Sequence, residues 1–252
     1  MNFNQHISQQ FNADLEAIRN QMLAMGGLVQ RQVSDSIDAI LTDDIKAANK
    51  IIKREDDIDE MEVTIDQECT HILVRRQPAA SDLRMVIAVS RVVRDLERMG
   101  DEAAKVAIHT LEVANSNQAG SKICHQAIRH MGTAVVKMTS DALDAFARHD
   151  IEGAIEVVRS DKMVDEQYAS AIRELSTYMM EDPRSISQAI NILWILRAIE
   201  RIGDHARNIS EQVIYLVSGA DVRHSSVSEM EEHSPIDESD SKDNSKLKTK
   251  KK

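Results

Sequence analysis

RDLERMGD, residues 94–101, returns later in the chain as RAIERIGD, residues 197–204. Each copy places a glutamate and an aspartate four residues apart, a spacing that puts both carboxylates on one face of a helix. In the first copy that face is mostly apolar, since it also carries Leu83, Val86, Ser90, Val93, Ala104, Ile108 and Leu111. Neighbouring like charges removed from water without partners cost roughly several kcal/mol, so we expect positive charge to face each pair.

The overall composition predicts an all-α protein. The 252 residues include only 8 Gly, 3 Pro and 3% aromatic side chains, whereas 42% are hydrophobic, so helix breakers and strand-favouring rings are scarce. A net charge of -11 argues against nucleic-acid binding, which needs a basic surface, and against binding to an anionic membrane. No apolar run reaches the roughly 18 residues that span a bilayer, so no membrane insertion is expected.

The two cysteines, Cys69 and Cys124, lie far apart and outside any C-x-x-C motif. We predict that they are free thiols in a reducing compartment. The first residues of the chain also lack the basic start and apolar centre of a signal peptide. These features together predict a cytoplasmic location.

Apolar residues at helical spacing predict three long helices in the first half of the chain. They cover about 4–41, 45–75 and 81–115, separated by the capping residues Thr42-Asp43-Asp44 and by Gln77-Pro78. A polar stretch of Asn, Ser, Gln and Gly then reads as a linker. The boundary between the two halves of the chain is therefore placed there.

The second half repeats the first, with its first two helices displaced by 106 residues and its third by 103. The sequence therefore predicts two tandem, pseudo-symmetric three-helix bundles, joined end to end, in residues 1–115 and 116–218. Residues 219–252 are rich in Ser, Asp, Glu and Lys and show no helical periodicity. They are predicted to form a disordered polar tail.

The second helix of each half carries a matching pair of acids, because Glu55 and Asp59 align with Asp161 and Asp165. If the second and third helices of each half pack antiparallel, four acids converge in each half. The candidate metal ligands are Glu55, Asp59, Glu97, Asp101, Asp161, Asp165, Glu200 and Asp204. Clusters of carboxylate oxygens suit hard cations such as Mg2+, Ca2+, Mn2+ or iron, and suit structural zinc poorly.

A second interpretation of these acids needs no metal, because arginines of the same motifs would neutralise them. The arginines concerned are Arg94, Arg98, Arg197 and Arg201. Such pairing is the simpler explanation for one acidic pair. Four acids duplicated at matched positions in apolar stripes favour the metal interpretation instead.

Other positions are weaker ligand candidates. Glu62 and Asp66 extend the acidic stripe of the second helix but have no acidic repeat mates, so a salt bridge or an interface is favoured for them. Asp38 and Asp144 match between the first helices, where exposed acids are the simpler interpretation. His205 follows an acid only in the second half, and it is either an extra ligand or an ordinary helix histidine.

Further short motifs accompany the repeated E-R-x-G-D segments: HISxxFNA at 6–13, RRQPxxSDLR at 75–84, DAFAR at 144–148 and YMMED at 178–182. Through about residue 224 the chain resembles the PhoU family of bacterial phosphate-signalling regulators. The resemblance implies two pseudo-symmetric three-helix bundles whose E(D)-x-x-x-D motifs bind metal ions, often as multinuclear clusters. It implies metal binding by the eight acids above, and it does not extend to the Lys-rich end.

The resemblance also implies a non-enzymatic function. A protein of this kind represses the phosphate-starvation regulon when phosphate is plentiful. It couples the high-affinity phosphate ABC transporter, through the ATPase subunit, to the sensor histidine kinase. A homodimer is implied as well.

The alternative is an oxidase or hydrolase with a carboxylate-bridged dimetal centre. Such helical-bundle enzymes carry Glu-x-x-His on each of two helices. Here Glu68 and His71 supply this motif once, and the repeat mate Glu174 is followed by Thr177 instead of histidine. Because the ligand set is incomplete, the regulatory adaptor is favoured.

Overall fold

A computed structural model describes residues 3–76, 78, 80–115, 124–223 and 225–233, with side chains from residue 11 onward. Within these ranges the chain is helical and has no strand, which confirms the all-α class. A single 3-10 turn, Pro183–Ser185, precedes the sixth helix. The α-helices are α1 (Phe3–Thr42), α2 (Ile45–Arg76), α3 (Ala80–Asn115), α4 (His125–Arg148), α5 (Ile151–Glu181), α6 (Ile186–Ser218) and α7 (Val227–Glu231).

The first two helices of each half are separated by an equivalent turn that an aspartate caps. Asp44 Oδ1 accepts hydrogen bonds from the backbone N–H groups of Lys46 and Ala47, at 2.9 and 3.0 Å. Its repeat mate Asp150 accepts one from Gly153 at 3.0 Å. Because the first N–H groups of a helix have no partner within the helix, these bonds stabilise its start. The predicted capping of α2 is confirmed.

The apolar faces of the six long helices form one continuous core that runs through both halves. Met22 and Met25 of α1 and Phe146 of α4 are fully buried in it. Flexible methionines fill irregular gaps between helices that cross one another. Among the described residues, no helix combines the length and the hydropathy needed to cross a membrane.

α3 and α6 pack against each other and run antiparallel. Arg91, early in α3, hydrogen-bonds to Gln212, late in α6, at 3.2 Å. His109, late in α3, stacks on Trp194, early in α6, with ring centroids 6.3 Å apart. The two bundles therefore lie side by side, and the expectation that they join end to end is wrong. Helical periodicity shows which face of a helix is apolar, but not which helix covers it.

α1 and α4 cross at a second contact between the halves, and glycines make it possible. A Cβ added at Gly26 would meet Leu143 Cδ2 at 2.5 Å, and one at Gly132 would meet Ile37 Cγ2 at 2.5 Å. Both glycines and both apolar partners are related by the displacement of 106 residues. The contact is therefore reciprocal, like a two-fold interface within one chain.

The chain remains ordered beyond Gly219. Val222 and Met230 are 2% and 0% exposed, and α7 packs against α5. Ser226 and Glu229 form a capping box at the start of α7, a pairing that stabilises even a short helix. The expectation of a disordered tail from residue 219 is therefore wrong as far as residue 233. The remainder of the predicted tail, 234–252, lies outside the described residues.

Candidate metal centres

The second and third helices of each half pack side by side, α2 on α3 and α5 on α6. The glycine of the repeated motif lies between them. A Cβ at Gly100 would meet Ile58 Cδ1 at 3.0 Å, and one at Gly203 would meet Asp161 Oδ1 at 3.5 Å. The contact at Gly100 is tighter than an added Cβ normally makes, so this glycine lets α2 and α3 approach each other, whereas a Cβ at Gly203 would make an ordinary contact.

The first centre brings together Glu55 and Asp59 of α2 with Glu97 and Asp101 of α3. Burial, a hydrogen bond to the carboxyl group of Asp101 and the charges of the other three acids raise the pKa of Glu55 to about 8. Burial and the neighbouring carboxylates also raise the pKa of Glu97. Two carboxyl groups that share a proton are the arrangement expected when acids converge without a matching positive charge.

Positive charge at the first centre is peripheral. Lys105 Nζ lies 3.8 Å from Asp101 Oδ2 but closer, at 3.1 Å, to Glu102, and its side chain is 46% exposed. Arg94 and Arg98 form no ion pair with the four acids within the described residues; their charges only partly offset the raised pKa of Glu62, and that of Arg98 partly offsets the raised pKa of Glu97. Glu55 Oε1 is buried and has no hydrogen-bond partner in the described part of the chain. Arginine pairing therefore does not explain this centre.

The second centre holds three carboxylate oxygens, from Asp161, Asp165 and Asp204, within 4.8 Å of one another. Among the described residues, only this centre has three acids so close. Burial and the charges of Asp165 and Asp204 raise the pKa of Asp161 to about 6. Burial and then Asp204 raise the pKa of Glu200 to about 7. Asp161 Oδ1 and Glu200 Oε2 are buried without a hydrogen-bond partner in the described structure.

Two arginines reach the second centre. Arg197 Nη1 donates to Glu200 Oε1 at 2.7 Å. Arg207 donates from Nη1 to Asp161 Oδ2 at 3.3 Å and from Nε to Glu211 Oε1 at 3.2 Å. Within the described part of the chain, each pair leaves the second oxygen of its cluster acid without a partner. Arginine pairing is therefore correct in part for this centre. Arg197 was predicted to neutralise a cluster acid, whereas Arg207 was not.

Arg207 is not among the residues predicted from the sequence. The sequence pointed to it only through a difference between the repeats, because Ala104 holds the aligned position in the first half. Arg201, which was expected to neutralise a cluster acid, instead forms an ion pair with Glu102 of α3 at 2.6 Å. That pair joins the two halves and lies outside both sets of four acids.

The weaker candidates lie outside the two sets. Asp66 accepts a hydrogen bond from Ser90 Oγ at 2.7 Å. His205 Nδ1 lies 2.9 Å from Asp95 Oδ1, so this histidine connects α6 to α3. Asp38 and Asp144, on the first helix of each half, are exposed, as the simpler interpretation predicted.

The donor set of both centres fits a hard cation. All eight predicted ligands offer carboxylate oxygens, the ligands that Mg2+, Ca2+ and Mn2+ prefer. Buried carboxylate oxygens without partners are costly, and each centre contains at least one. A cation bridging the two helices of a centre would satisfy these oxygens and neutralise the cluster.

Known proteins share both the sequence and the duplication. The chain matches the PhoU domain twice, at residues 22–110 and 128–213. It is 54% identical, over 227 residues, to the phosphate-specific transport system accessory protein PhoU homolog of Pseudomonas aeruginosa, covering 90% of this chain and 93% of that protein. It is 43% identical, over 224 residues, to the accessory protein PhoU of Escherichia coli K12, covering 89% and 92%.

Two solved structures share the fold. The crystal structure of PhoU from Pseudomonas aeruginosa has a TM-score of 0.81 at 52% identity and covers 83% of this chain and 100% of that one. The phosphate transport system regulatory protein PhoU from Streptococcus pneumoniae has a TM-score of 0.75 at 31% identity, covering 83% and 98%. With both domains matched and the relatives spanned nearly end to end, this chain belongs to the PhoU family.

Proposed function

We propose that this chain is a non-enzymatic regulator of a phosphate-specific transport system, which represses phosphate-starvation genes while phosphate is plentiful. The observation that carries the proposal is the family membership, because relatives that match most of the chain are named accessory or regulatory proteins of phosphate transport. In this proposal the protein acts in the cytoplasm as a homodimer. It contacts the ATPase subunit of the phosphate ABC transporter and the sensor histidine kinase of the regulon.

The same proposal assigns hard cations, such as Mg2+, Mn2+ or iron, to the two carboxylate centres. Support comes from the buried oxygens of Glu55, Asp161 and Glu200 that lack partners. A bound cation supplies the positive charge that joins the carboxylates of neighbouring helices. The residues that would hold it are Glu55, Asp59, Glu97 and Asp101 in the first centre, and Asp161, Asp165, Glu200 and Asp204 in the second.

The dimetal-enzyme alternative has less support. Glu68 accepts a hydrogen bond from Gln21 of α1 at 3.3 Å, so its carboxylate is directed toward α1 and away from the acids on α3. Glu68 and His71 are also outside the group of three acids that converge in the second half. Among the described residues, no group of three converging ligands includes a histidine of the kind that such enzymes use.

The regulatory role is tested by deleting the gene and measuring alkaline phosphatase activity in phosphate-rich medium. We expect high activity in the deletion strain and repression once the full chain is restored from a plasmid. A matched low-phosphate culture, in which every strain should be derepressed, controls for general effects on growth. Normal repression in the deletion strain would remove the proposed role.

Metal binding is tested by melting curves with and without chelator. A cation that binds only the folded state contributes RT ln(1 + [L]/Kd) to stability, so chelator should lower the melting temperature. Asp101→Asn combined with Asp204→Asn removes one charge from each centre and should narrow the gap between the two curves. Asp38→Asn combined with Asp144→Asn, at exposed positions outside the centres, should leave the gap unchanged. Coinciding curves for the unmutated protein would contradict metal binding.

A further inference from the structure

One cation of the second centre, Arg207, has no counterpart in the sequence of the first half. Arg207 follows Asp204 by three residues on α6, and Ala104 holds the aligned position on α3. Its second acceptor Glu211 aligns with Ile108, so the whole arginine–glutamate unit is specific to the second half. The acids of the two centres are duplicated, whereas this counter-charge is not.

Arg207 lies where it competes for a cluster ligand. Its Nη1 contacts Asp161 Oδ2 at 3.3 Å, and Asp161 is the most buried acid of the three whose oxygens converge, at 2% exposed. The other oxygen of Asp161 is buried without a partner among the described residues. One oxygen of Asp161 is therefore engaged by an arginine, and the other is left available to a ligand.

The arginine also explains why three carboxylates stay so close together in the second centre. A guanidinium group is always charged and forms directed bonds to carboxylates, so it offsets part of their repulsion. In the first centre the nearest cation is the half-exposed Lys105, which is closer to Glu102 than to Asp101. That centre has no equivalent internal counter-charge within the described residues.

We propose that Arg207 is an internal competitor for metal at the second centre, because it holds one oxygen of Asp161 and places a positive charge beside the acids that would bind the ion. This inference rests on the metal binding proposed above. When Asp161 turns to the metal, Arg207 keeps Glu211 as its acceptor at 3.2 Å, so the displaced charge stays paired. The arginine therefore lowers metal affinity at the second centre and stabilises that centre when no metal is bound.

The test is a Mn2+ titration of the full chain after chelator treatment, followed by calorimetry and by the electron paramagnetic resonance of free Mn2+. Asp101→Asn and Asp204→Asn assign the binding steps, since each should weaken the step of its own centre. Arg207→Gln removes the charge but keeps a polar side chain. It should lower the Mn2+ dissociation constant of the second centre about tenfold or more, because a positive charge next to a cation is removed, and it should not change the first centre.

Two matched variants separate competition from other effects. Arg207→Lys keeps the positive charge and should bind Mn2+ much as the unmutated protein does. Arg184→Ala removes the same charge at an 86% exposed position in the 3-10 turn before α6, and should leave both steps unchanged. Arg207→Gln should also lower the melting temperature in chelator and enlarge the increase in melting temperature that Mn2+ produces. A loss of structural support alone would lower the melting temperature without enlarging that increase.

The outcomes distinguish this inference from the proposal it rests on. An unchanged or larger dissociation constant at the second centre in Arg207→Gln, with Mn2+ binding otherwise intact, would overturn the role of Arg207 alone. A complete absence of Mn2+ binding to the unmutated protein would overturn both. Should Arg207→Gln fail to fold, Ala104→Arg supplies the reciprocal test, since it should weaken Mn2+ binding at the first centre.

Discussion

Glu55 and Asp161 hold equivalent positions in the two halves, yet they meet different electrostatic conditions. Burial, the hydrogen bond to Asp101 and nearby carboxylates raise the pKa of Glu55 to about 8. Burial and nearby carboxylates also act on Asp161, but Arg207 opposes them, and its pKa is raised only to about 6. The hydrogen bond between Glu55 and Asp101 and the arginine beside Asp161 thus make the two aligned acids unequal, because each pKa depends on the local partners and not on the repeat.

The raised pKa values predict how stability depends on pH in the absence of metal. Between about pH 5 and 8 the folded state binds more protons than the unfolded state, so the free energy of unfolding should fall as pH rises. The loss should level off well above pH 8, once Glu55 is ionised in the folded as well as the unfolded state. Melting curves in chelator across this range measure the effect.

Glu55→Gln is the control for this pH dependence. The variant cannot ionise at the position with the most strongly raised pKa, so the fall in stability across the range should be shallower. Added metal should also reduce the decrease in stability with rising pH, since metal and protons compete for the same oxygens. A chelated protein that becomes more stable from about pH 5 to 8 would contradict the proposed electrostatics.

At the scale of the helices, small residues decide how closely neighbouring elements approach. Gly26 and Gly132 let α1 and α4 cross, and Gly100 lets α2 and α3 pack closely. Glycine is unfavourable inside a helix by roughly 1 kcal/mol relative to alanine. These positions keep it because a neighbouring side chain fills the space that a Cβ would take.

Gly27 and Gly132 make this argument testable. Gly132→Ala should destabilise the protein by about 1–3 kcal/mol, since the new Cβ would meet the branched Ile37 at 2.5 Å. Gly27→Ala meets no atom within 4 Å and should stabilise the helix by roughly 0.5–1 kcal/mol. Denaturant unfolding of both variants measures the difference. Equal effects of the same sign would show that the α1–α4 contact is not close-packed.

At the scale of the whole molecule, the two bundles form one body. α3 and α6 share the core, and polar links join them, including the Arg201–Glu102 ion pair at 2.6 Å and the contact between His205 and Asp95 at 2.9 Å. Arg201 follows the cluster residue Glu200, and Glu102 follows the cluster residue Asp101. The two centres are therefore connected through adjacent residues of one interface.

The segment after α6 belongs to this body as far as residue 233. Truncation after Gly219 should lower the melting temperature, because it removes the buried Val222 and Met230; loss of a buried Met side chain alone costs about 2 kcal/mol or more. Truncation after His233 should leave the melting temperature unchanged. Calorimetric melting of both shortened proteins is the measurement, and equal melting temperatures would show that the packing of α7 is unimportant.

The sequence by itself determined the helices, the duplication and the eight candidate acids, because each depends on residues close together in the chain. Apolar spacing of 3.6 residues identifies a helix and its inward face, and a four-residue spacing puts Glu97 and Asp101 together on that face. The capping aspartates could also be predicted, because a capping residue lies directly before its helix in the sequence. Metal binding at the centres stays a prediction from these patterns.

Only the tertiary structure decided which helices meet and which charges neutralise each other. The packing of α3 on α6, the pairing of Arg207 with Asp161 and the burial of Met230 join residues far apart in the chain. An apolar stripe or a lone arginine is compatible with many such partners. Which partners meet depends on the close packing of all six long helices together, and no local sequence pattern contains those contacts.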